Sequence, residues 1–419
     1  MERNPRLIAG LLAAEICTMG GFAPFASLLV ELSRRWHLNP AQAGWIGSAY
    51  LIGYAVSVPA LVGMTDRIDS RVVYAAGCAA GLAAGFGFAW LASGFWSAFA
   101  LRALAGASLA GTYIPGLRIL TERLASEARI RSVPYYTSMF GVGASLSFWM
   151  SGWVAARYGW QGAFLVSGAG AGAAALLMAG ASAGIGVAPG LRARAGARHP
   201  LDFRPVFSNR EALAYALAYA GHSWEMFGFR AWLPAYLLFA SGGMRSAVAG
   251  TAITNWATVI TMTSVPASIL GAELAIRGSR PRLIRTAAIS SVVMGLAAAL
   301  FGAFSFTVAV VTLFGWAFAI SADSGALTAG TVAVARPGEQ GATLAVYSLV
   351  GFVSGAIGPL AAGAALHFGT GMGMAGGWRF ALPAVAAGSL LSAAAMSFQD
   401  PASGRSATQT AGSGQPGAQ

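Results

Sequence analysis

Long apolar stretches, separated only by short arginine-bearing gaps, run along almost the whole chain. They read as spans at roughly 7–30, 41–63, 71–93, 95–120, 133–156, 161–184, 212–240, 247–270, 283–304, 306–332, 340–365 and 376–397. A helix needs about 20 apolar residues to cross the hydrocarbon core of a bilayer, and each run meets that length. A soluble chain of 419 residues would form two or three domains, but only 10% of these residues are charged, against about 25% in soluble proteins. With 56% hydrophobic residues and a mean hydropathy of +0.64, lipid is the solvent for most of this chain. The stretch Met1–Gly20 begins basic and turns apolar, as a cleaved signal would. Comparable runs follow it throughout, so it is read as the first span.

The expected fold is therefore an all-α integral membrane protein of about twelve transmembrane helices. Arginine sets its orientation. The net charge is +12, and all 26 basic residues are Arg, which with the Ala/Gly-rich composition points to a bacterial source. A basic balance can signal nucleic acid, but these arginines lie in the gaps between spans and follow topology instead. With the N-terminus in the cytoplasm, nineteen arginines fall in inner segments and five, Arg34, Arg35, Arg157, Arg245 and Arg379, in outer ones. That bias orients membrane proteins. It places the chain as a multi-pass protein of the bacterial cytoplasmic (inner) membrane with both termini inside.

Two halves are expected. Residues 1–184 form one six-helix bundle, 185–211 a cytoplasmic linker with Pro189, Pro200 and Pro205, 212–398 a second bundle, and 399–419 a polar, disordered tail. At an offset of 211 residues Tyr136 falls on Tyr347, Gly152 on Gly363 and Arg71 on Arg282. Such a six-plus-six duplication around a midplane cavity is the architecture of an alternating-access carrier.

Chemistry within the spans rests on few side chains, since charges there are expensive and usually face the bundle interior. Glu15 lies mid-span in the first helix and Glu225 mid-span in the seventh, and the offset carries Glu15 to within one residue of Glu225. Each half thus offers a carboxylate for proton coupling, the alternative being a structural hydrogen bond. His222 lies three residues before Glu225 on the same helical face, where imidazole beside carboxylate suits a proton relay or a helix–helix bond. Arg102 in span four cannot shed its charge and must meet a carboxylate, water or an anionic substrate. Asp323, with Ser324 and Thr328, makes a polar cluster in span ten, read as substrate site or inner gate. Lesser lining candidates are Tyr50, Tyr54, Trp224, Asn255 and Arg230. The last is near enough to the outer face to snorkel, and Trp232 reads as an interfacial anchor.

Motifs of soluble enzymes are missing. No Gly-x-x-x-x-Gly-Lys-Ser/Thr loop supports an ATP-driven pump, no zinc-ligand spacing occurs, and Cys17 and Cys78 both lie in apolar runs. The chain is expected to be no enzyme and to hold no cofactor or metal, the proton gradient being its energy source. Its expected partners are a small-molecule substrate and the lipid bilayer, not nucleic acid, and it is expected to work as a monomer.

The loop Gly63-Met64-Thr65-Asp66-Arg67-Ile68-Asp69-Ser70-Arg71 resembles the Asp-Arg-x-x-x-Arg signature of the major facilitator superfamily, and Arg102-Ala103-Leu104-Ala105-Gly106 its Arg-x-x-(Gln)-Gly element. Gly358-Pro359 looks like the family's Gly-Pro motif, but in span eleven. Span five, where drug/proton antiporters of the family carry it, has no proline in Gly141–Ser147. The resemblance implies two pseudo-symmetric six-helix bundles, a cavity position for Arg102, and a conformational latch of Asp66, Arg67 and Arg71. The expected function is secondary transport of a small polar or anionic organic solute, coupled to protons. The alternatives are an inorganic-anion permease or exchanger of the nitrate or cyanate type, a drug/metabolite efflux antiporter, and a non-transporting membrane receptor.

Overall fold

The computed structural model describes residues 4–65, 67–124, 126–184, 186, 204–242, 247–336 and 339–397. Its helices are α1 (Pro5–Thr18), α2 (Pro24–Arg35), α3 (Pro40–Met64), α4 (Ser70–Leu91), α5 (Phe95–Arg123), α6 (Ser126–Ala181), α7 (Arg204–Phe207), α8 (Arg210–Ala240), α9 (Ala247–Met262), α10 (Ser264–Arg277), α11 (Arg280–Phe301), α12 (Phe306–Ala322), α13 (Ser324–Val334), α14 (Gln340–Gly369) and α15 (Gly373–Ser397). Among the described residues there is no strand. Helix is the expected solution, because a backbone in lipid must satisfy its own hydrogen bonds.

Twelve crossings result from these helices. The pairs α1–α2, α9–α10 and α12–α13 are single spans broken partway, and α6 is two spans. Its hairpin turns at Gly159, whose φ of 74° suits a residue without Cβ. Both arms then run beside α1: Met150 from one and Ser167 from the other approach Gly20. Among the described residues eight stretches are long and apolar enough to cross a membrane by themselves, two of them double-length; α5, with Arg102, and α8, with Glu225 and Arg230, are not among these.

The duplication is visible in the packing. In the first half α4 lies against α5 and α6; in the second, α11 lies against α12 and α15 in the same way. The halves meet along three seams, α3 on α14, the first arm of α6 on α9, and α2 on α8. At the end of the bundle away from the chain termini these seams are tight. A Cβ on Gly44 would fall 2.8 Å from the Pro359 carbonyl oxygen, and Ser48 Oγ donates to the Ala356 carbonyl at 2.5 Å. The outer surface is apolar: Trp96 is 79% exposed and Val56, Leu176 and Ile269 also lie open, as a lipid-facing wall requires. Exposed Trp90, Trp96 and Tyr158 gather near one end, where aromatic rings favour the membrane–water interface.

Of the expected linker 185–211, residues 185 and 187–203 lie outside the described residues and its last part forms α7 and the start of α8; the expected tail 399–419 also lies outside them.

Candidate functional site

The site begins with a break in the first span. Pro24 has no N–H to give to the Gly20 carbonyl, and the chain passes through a short 3₁₀ turn, Met19–Gly21, between α1 and α2. The freed backbone groups find partners on other helices. Ser147 Oγ donates to the Gly20 carbonyl at 2.8 Å and accepts from the Ala23 N–H at 3.1 Å. Arg102 Nη1 donates to the Gly21 carbonyl at 2.8 Å and Nη2 to the Phe22 carbonyl at 3.3 Å. The guanidinium also lies over the Tyr50 ring at 4.6 Å. Gly106 makes this possible: a Cβ there would fall 1.8 Å from the Tyr50 carbonyl oxygen, so glycine lets α5 close on α3. Arg102 thus meets backbone carbonyls, a partner not among those expected for it, and through them it fixes Phe22.

Phe22 projects from this break to the seam between the halves. Its ring meets Tyr50 edge-on at 5.8 Å, Phe140 at 6.1 Å and, across the seam, Phe227 at 6.2 Å. A cavity of about 30 Å³, room for one or two waters, is bounded here by Phe22, Phe25, Leu51, Phe227 and Pro359, with Arg102 and Arg230. Arg230 does not snorkel. It is 5% exposed, lies 5.9 Å from the Phe22 ring centroid, and makes no hydrogen bond or ion pair among the described residues, with Nη1 buried and unpartnered. Enclosure by α2 and Pro359 overrides its nearness to the helix end. Trp232 is likewise no interfacial anchor: it is buried, donates Nε1 to the Pro359 carbonyl at 3.0 Å, and packs edge-on against Trp378.

The two carboxylates are both fully buried. Glu15 accepts one hydrogen bond, from Tyr136 Oη at 3.0 Å, and its Oε1 has no partner. Glu225 accepts Trp316 Nε1 on Oε1 at 2.8 Å and Ser389 Oγ on Oε2. One turn away His222 Nδ1 lies 2.8 Å from Asp323 Oδ1, an ion pair when the ring is protonated, and Ser324 Oγ lies 3.4 Å from Nε2. Asp323 occupies the break between α12 and α13. The column continues through Tyr219, stacked on Tyr347 at 3.9 Å, to Thr328, whose Oγ1 lies 3.3 Å from Tyr347 Oη. The structure therefore gathers His222, Asp323, Ser324 and Thr328 with α8 and α14.

Other expected residues stand apart from the seam cavity. Tyr54 stacks on Phe352 across the seam at 3.9 Å. Trp224 donates Nε1 to the Ala384 carbonyl at 3.0 Å, joining α8 to α15, and Asn255 is exposed and outside the cavity lining. Tyr136, Ser147, Trp316 and Ser389 carry no local signal in the sequence beyond the repeat of Tyr136 as Tyr347, because their roles come from helices brought together only by folding.

Between α3 and α4, Asp69 holds Arg71 at 2.8 Å and Arg123 of α5 at 2.9 Å. Partial burial pushes this carboxyl up, but hydrogen bonds from Arg71 and the charge and hydrogen bonds of Arg123 prevail and bring it down to about 2. Arg67 is exposed, and Asp66, the expected latch carboxylate, lies outside the described residues. No three His, Cys, Asp or Glu side chains among the described residues converge to hold a metal.

Comparison with known proteins follows the same lines. A family model described as the Major Facilitator Superfamily matches residues 11–359. The Acinetobacter baylyi niacin transporter NiaP is 28% identical over 143 residues, covering 34% of this chain and 32% of that protein. The hexuronate transporter of Escherichia coli K12 is 29% identical over 153 residues, 36% of this chain and 34% of that one. The chain thus spans about a third of the length of the curated relatives it matches. In fold it is similar to a bacterial homolog of the human lysosomal transporter Spinster, inward-facing and unoccupied (TM-score 0.76, 16% identity, 95% of this chain and 96% of that one). It is also similar to a D-xylose-proton symporter (TM-score 0.78, 12% identity, 96% and 99%).

Proposed function

The chain belongs to the major facilitator superfamily, and from that premise we propose that it is a proton-coupled secondary transporter of a small organic anion. The observation that carries this reading is Arg230: a buried guanidinium on the seam, with no counter-charge among the described residues. An unpaired charge in a low-dielectric interior costs several kcal/mol, and an anionic substrate offsets that cost when it binds. The named cargoes of the two relatives, niacin and hexuronate, are carboxylic acids, which agrees with a carboxylate on Arg230.

The seam location supplies the transport mechanism. Arg230 belongs to the second half and Phe22 to the first, so a ligand between them touches both bodies. Its affinity differs between the two tilts, and that difference shifts the rocking equilibrium. With the termini in the cytoplasm, the tight seams lie on the outer side, an inward-facing arrangement. Protons enter through Glu225, whose partners Trp316 and Ser389 lie on α12 and α15, and Glu15 is its counterpart beside Tyr136.

Purified full chain in proteoliposomes tests this reading. Labelled nicotinate and labelled glucuronate are offered with an inward proton gradient and, separately, as counterflow without one. Gradient-driven accumulation of at least one anion is expected. Glu225→Gln should lose accumulation and keep counterflow. Absence of flux of either anion in both formats overturns the proposal.

A further inference from the structure

The walls of the seam cavity narrow the substrate class, an inference that rests on the anion-carrier reading above. We propose that the cavity takes a flat aromatic monocarboxylate, its ring between Phe22 and Phe227 and its carboxylate on Arg230, in preference to a polyhydroxylated acid or a small inorganic anion.

Three features support this. First, the polar side chains lining the cavity are the two arginines and no others; the rest is Phe22, Phe25, Phe227, Leu51, Pro359 and small residues. A sugar acid would bury several hydroxyls against these walls with nothing to accept them, and unpaired buried hydroxyls are costly. Secondly, the two arginines are not equivalent. Arg102 has both terminal nitrogens committed to the Gly21 and Phe22 carbonyls, whereas Arg230 has its fork free, the geometry that accepts a carboxylate through two parallel bonds. Thirdly, Phe22 and Phe227, one from each half, are in tilted contact across the seam at 6.2 Å with their planes at 49°; when the halves part, the two rings open as an apolar wedge whose faces and edges suit a third ring. An inorganic anion would answer Arg230 and leave the apolar wedge unfilled. At about 30 Å³ the cavity is closed down in this state, and the rocking that parts α2 from α8 enlarges it.

Competition against labelled nicotinate uptake in proteoliposomes of the full chain tests the proposal. Benzoate should inhibit at about tenfold lower concentration than cyclohexanecarboxylate, which has the charge and bulk but no flat ring. Glucuronate and nitrate should need about a hundredfold more than benzoate. Phe227→Leu keeps an apolar wall and removes the ring; it should raise the benzoate requirement about tenfold and leave that for cyclohexanecarboxylate unchanged. Glucuronate or nitrate competing as well as benzoate, or Phe227→Leu affecting both acids alike, overturns the inference. Uptake of labelled glucuronate without nicotinate also overturns it, while leaving the anion carrier standing; uptake of neither removes both.

Discussion

Arg102 on α5 and Arg230 on α8 are both buried at the edge of one cavity, yet they differ in what surrounds them. Arg102 completes the backbone of a broken helix, while Arg230 lies 5.9 Å from the Phe22 ring centroid with no hydrogen bond or ion pair among the described residues. An arginine inside a membrane span is thus no single kind of evidence. One with committed nitrogens is part of the scaffold, and one with free nitrogens is poised for a ligand. Sequence position ranks Arg102 above Arg230, because it falls in a family-like motif. On the proposed reading the hydrogen bonds reverse that order for substrate contact, since Arg102 is committed to the Gly21 and Phe22 carbonyls.

The largest expected effects set these two residues against each other. Arg230→Met removes an unpaired buried charge and fills its volume, so the ligand-free protein in detergent should melt at the same or a higher temperature. The same variant should lose the stabilisation that substrate confers, and its uptake should fall by about a hundredfold or more. Arg102→Met should do the reverse. It leaves two buried carbonyls without donors, at about 1–3 kcal/mol each, and should lower the melting temperature before any ligand is added. Thermal melts of both variants, with and without nicotinate, decide the matter. Equal destabilisation by the two substitutions would erase the distinction.

The two carboxylates sharpen the comparison at the level of the halves. Glu225 has a donor on each oxygen, from two different helices, whereas Glu15 has one donor and an orphaned oxygen. Glu225→Gln is therefore expected to abolish proton-driven accumulation, and Glu15→Gln to reduce it less, with counterflow retained in both. Trp316→Phe, which removes one of the two donors to Glu225, should shift the pH profile of uptake and leave counterflow at its optimum within about threefold. An unshifted profile would detach Glu225 from the proton step.

Much of the fold could be read in the chain, because lipid allows few solutions. Twelve apolar runs match twelve crossings with ends within about seven residues, and the offset of 211 matches the repeated packing of α4 and α11. The breaks at Met19–Gly21, Thr263 and Asp323 were not foreseen. The first two have an evident cause in a proline, since Pro24 and Pro266 have no N–H to give to the Gly20 and Met262 carbonyls; at Asp323 a charged residue occupies a junction that apolarity alone reads as continuous. The site was legible as a set of charges and not as a set of partners. Span positions singled out Glu15, His222, Glu225 and Asp323, but a hydrogen bond such as Ser147 to Gly20 joins residues 127 apart. Arg230 and Trp232 were misjudged for one reason. Nearness to a helix end reads in the sequence as closeness to water, whereas α14 and α2 cover that part of α8 and bury both side chains.

The smallest expected effect lies at the α3–α4 junction, where the halves can be compared again. In the first half Asp69 ties α4 to α5 through Arg71 and Arg123. In the second half the offset carries Asp69 to Arg280, and the nearby pair that forms is Arg277 with Glu273 on the same helix, 75% and 52% exposed at its side chains. An exposed pair one turn apart is worth about 0.3–0.5 kcal/mol, so Glu273→Gln should leave the melting temperature unchanged within error. Asp69→Asn should lower it by a few degrees, since Arg123 would be left half-answered in a more buried place. The pH dependence follows from the direction of the shift. The carboxyl is held at about 2 in the fold, below its ordinary 3.8, so its contribution is whole above 3.8 and fades as the pH falls through 2. Solvent screening at this partly open site keeps that contribution to about 1 kcal/mol or less. The deficit of Asp69→Asn should therefore be constant between about pH 5 and 8 and shrink only in strong acid. A deficit that varies across the neutral range would mean that another titrating group holds this junction, and the asymmetry between the halves would need a different origin.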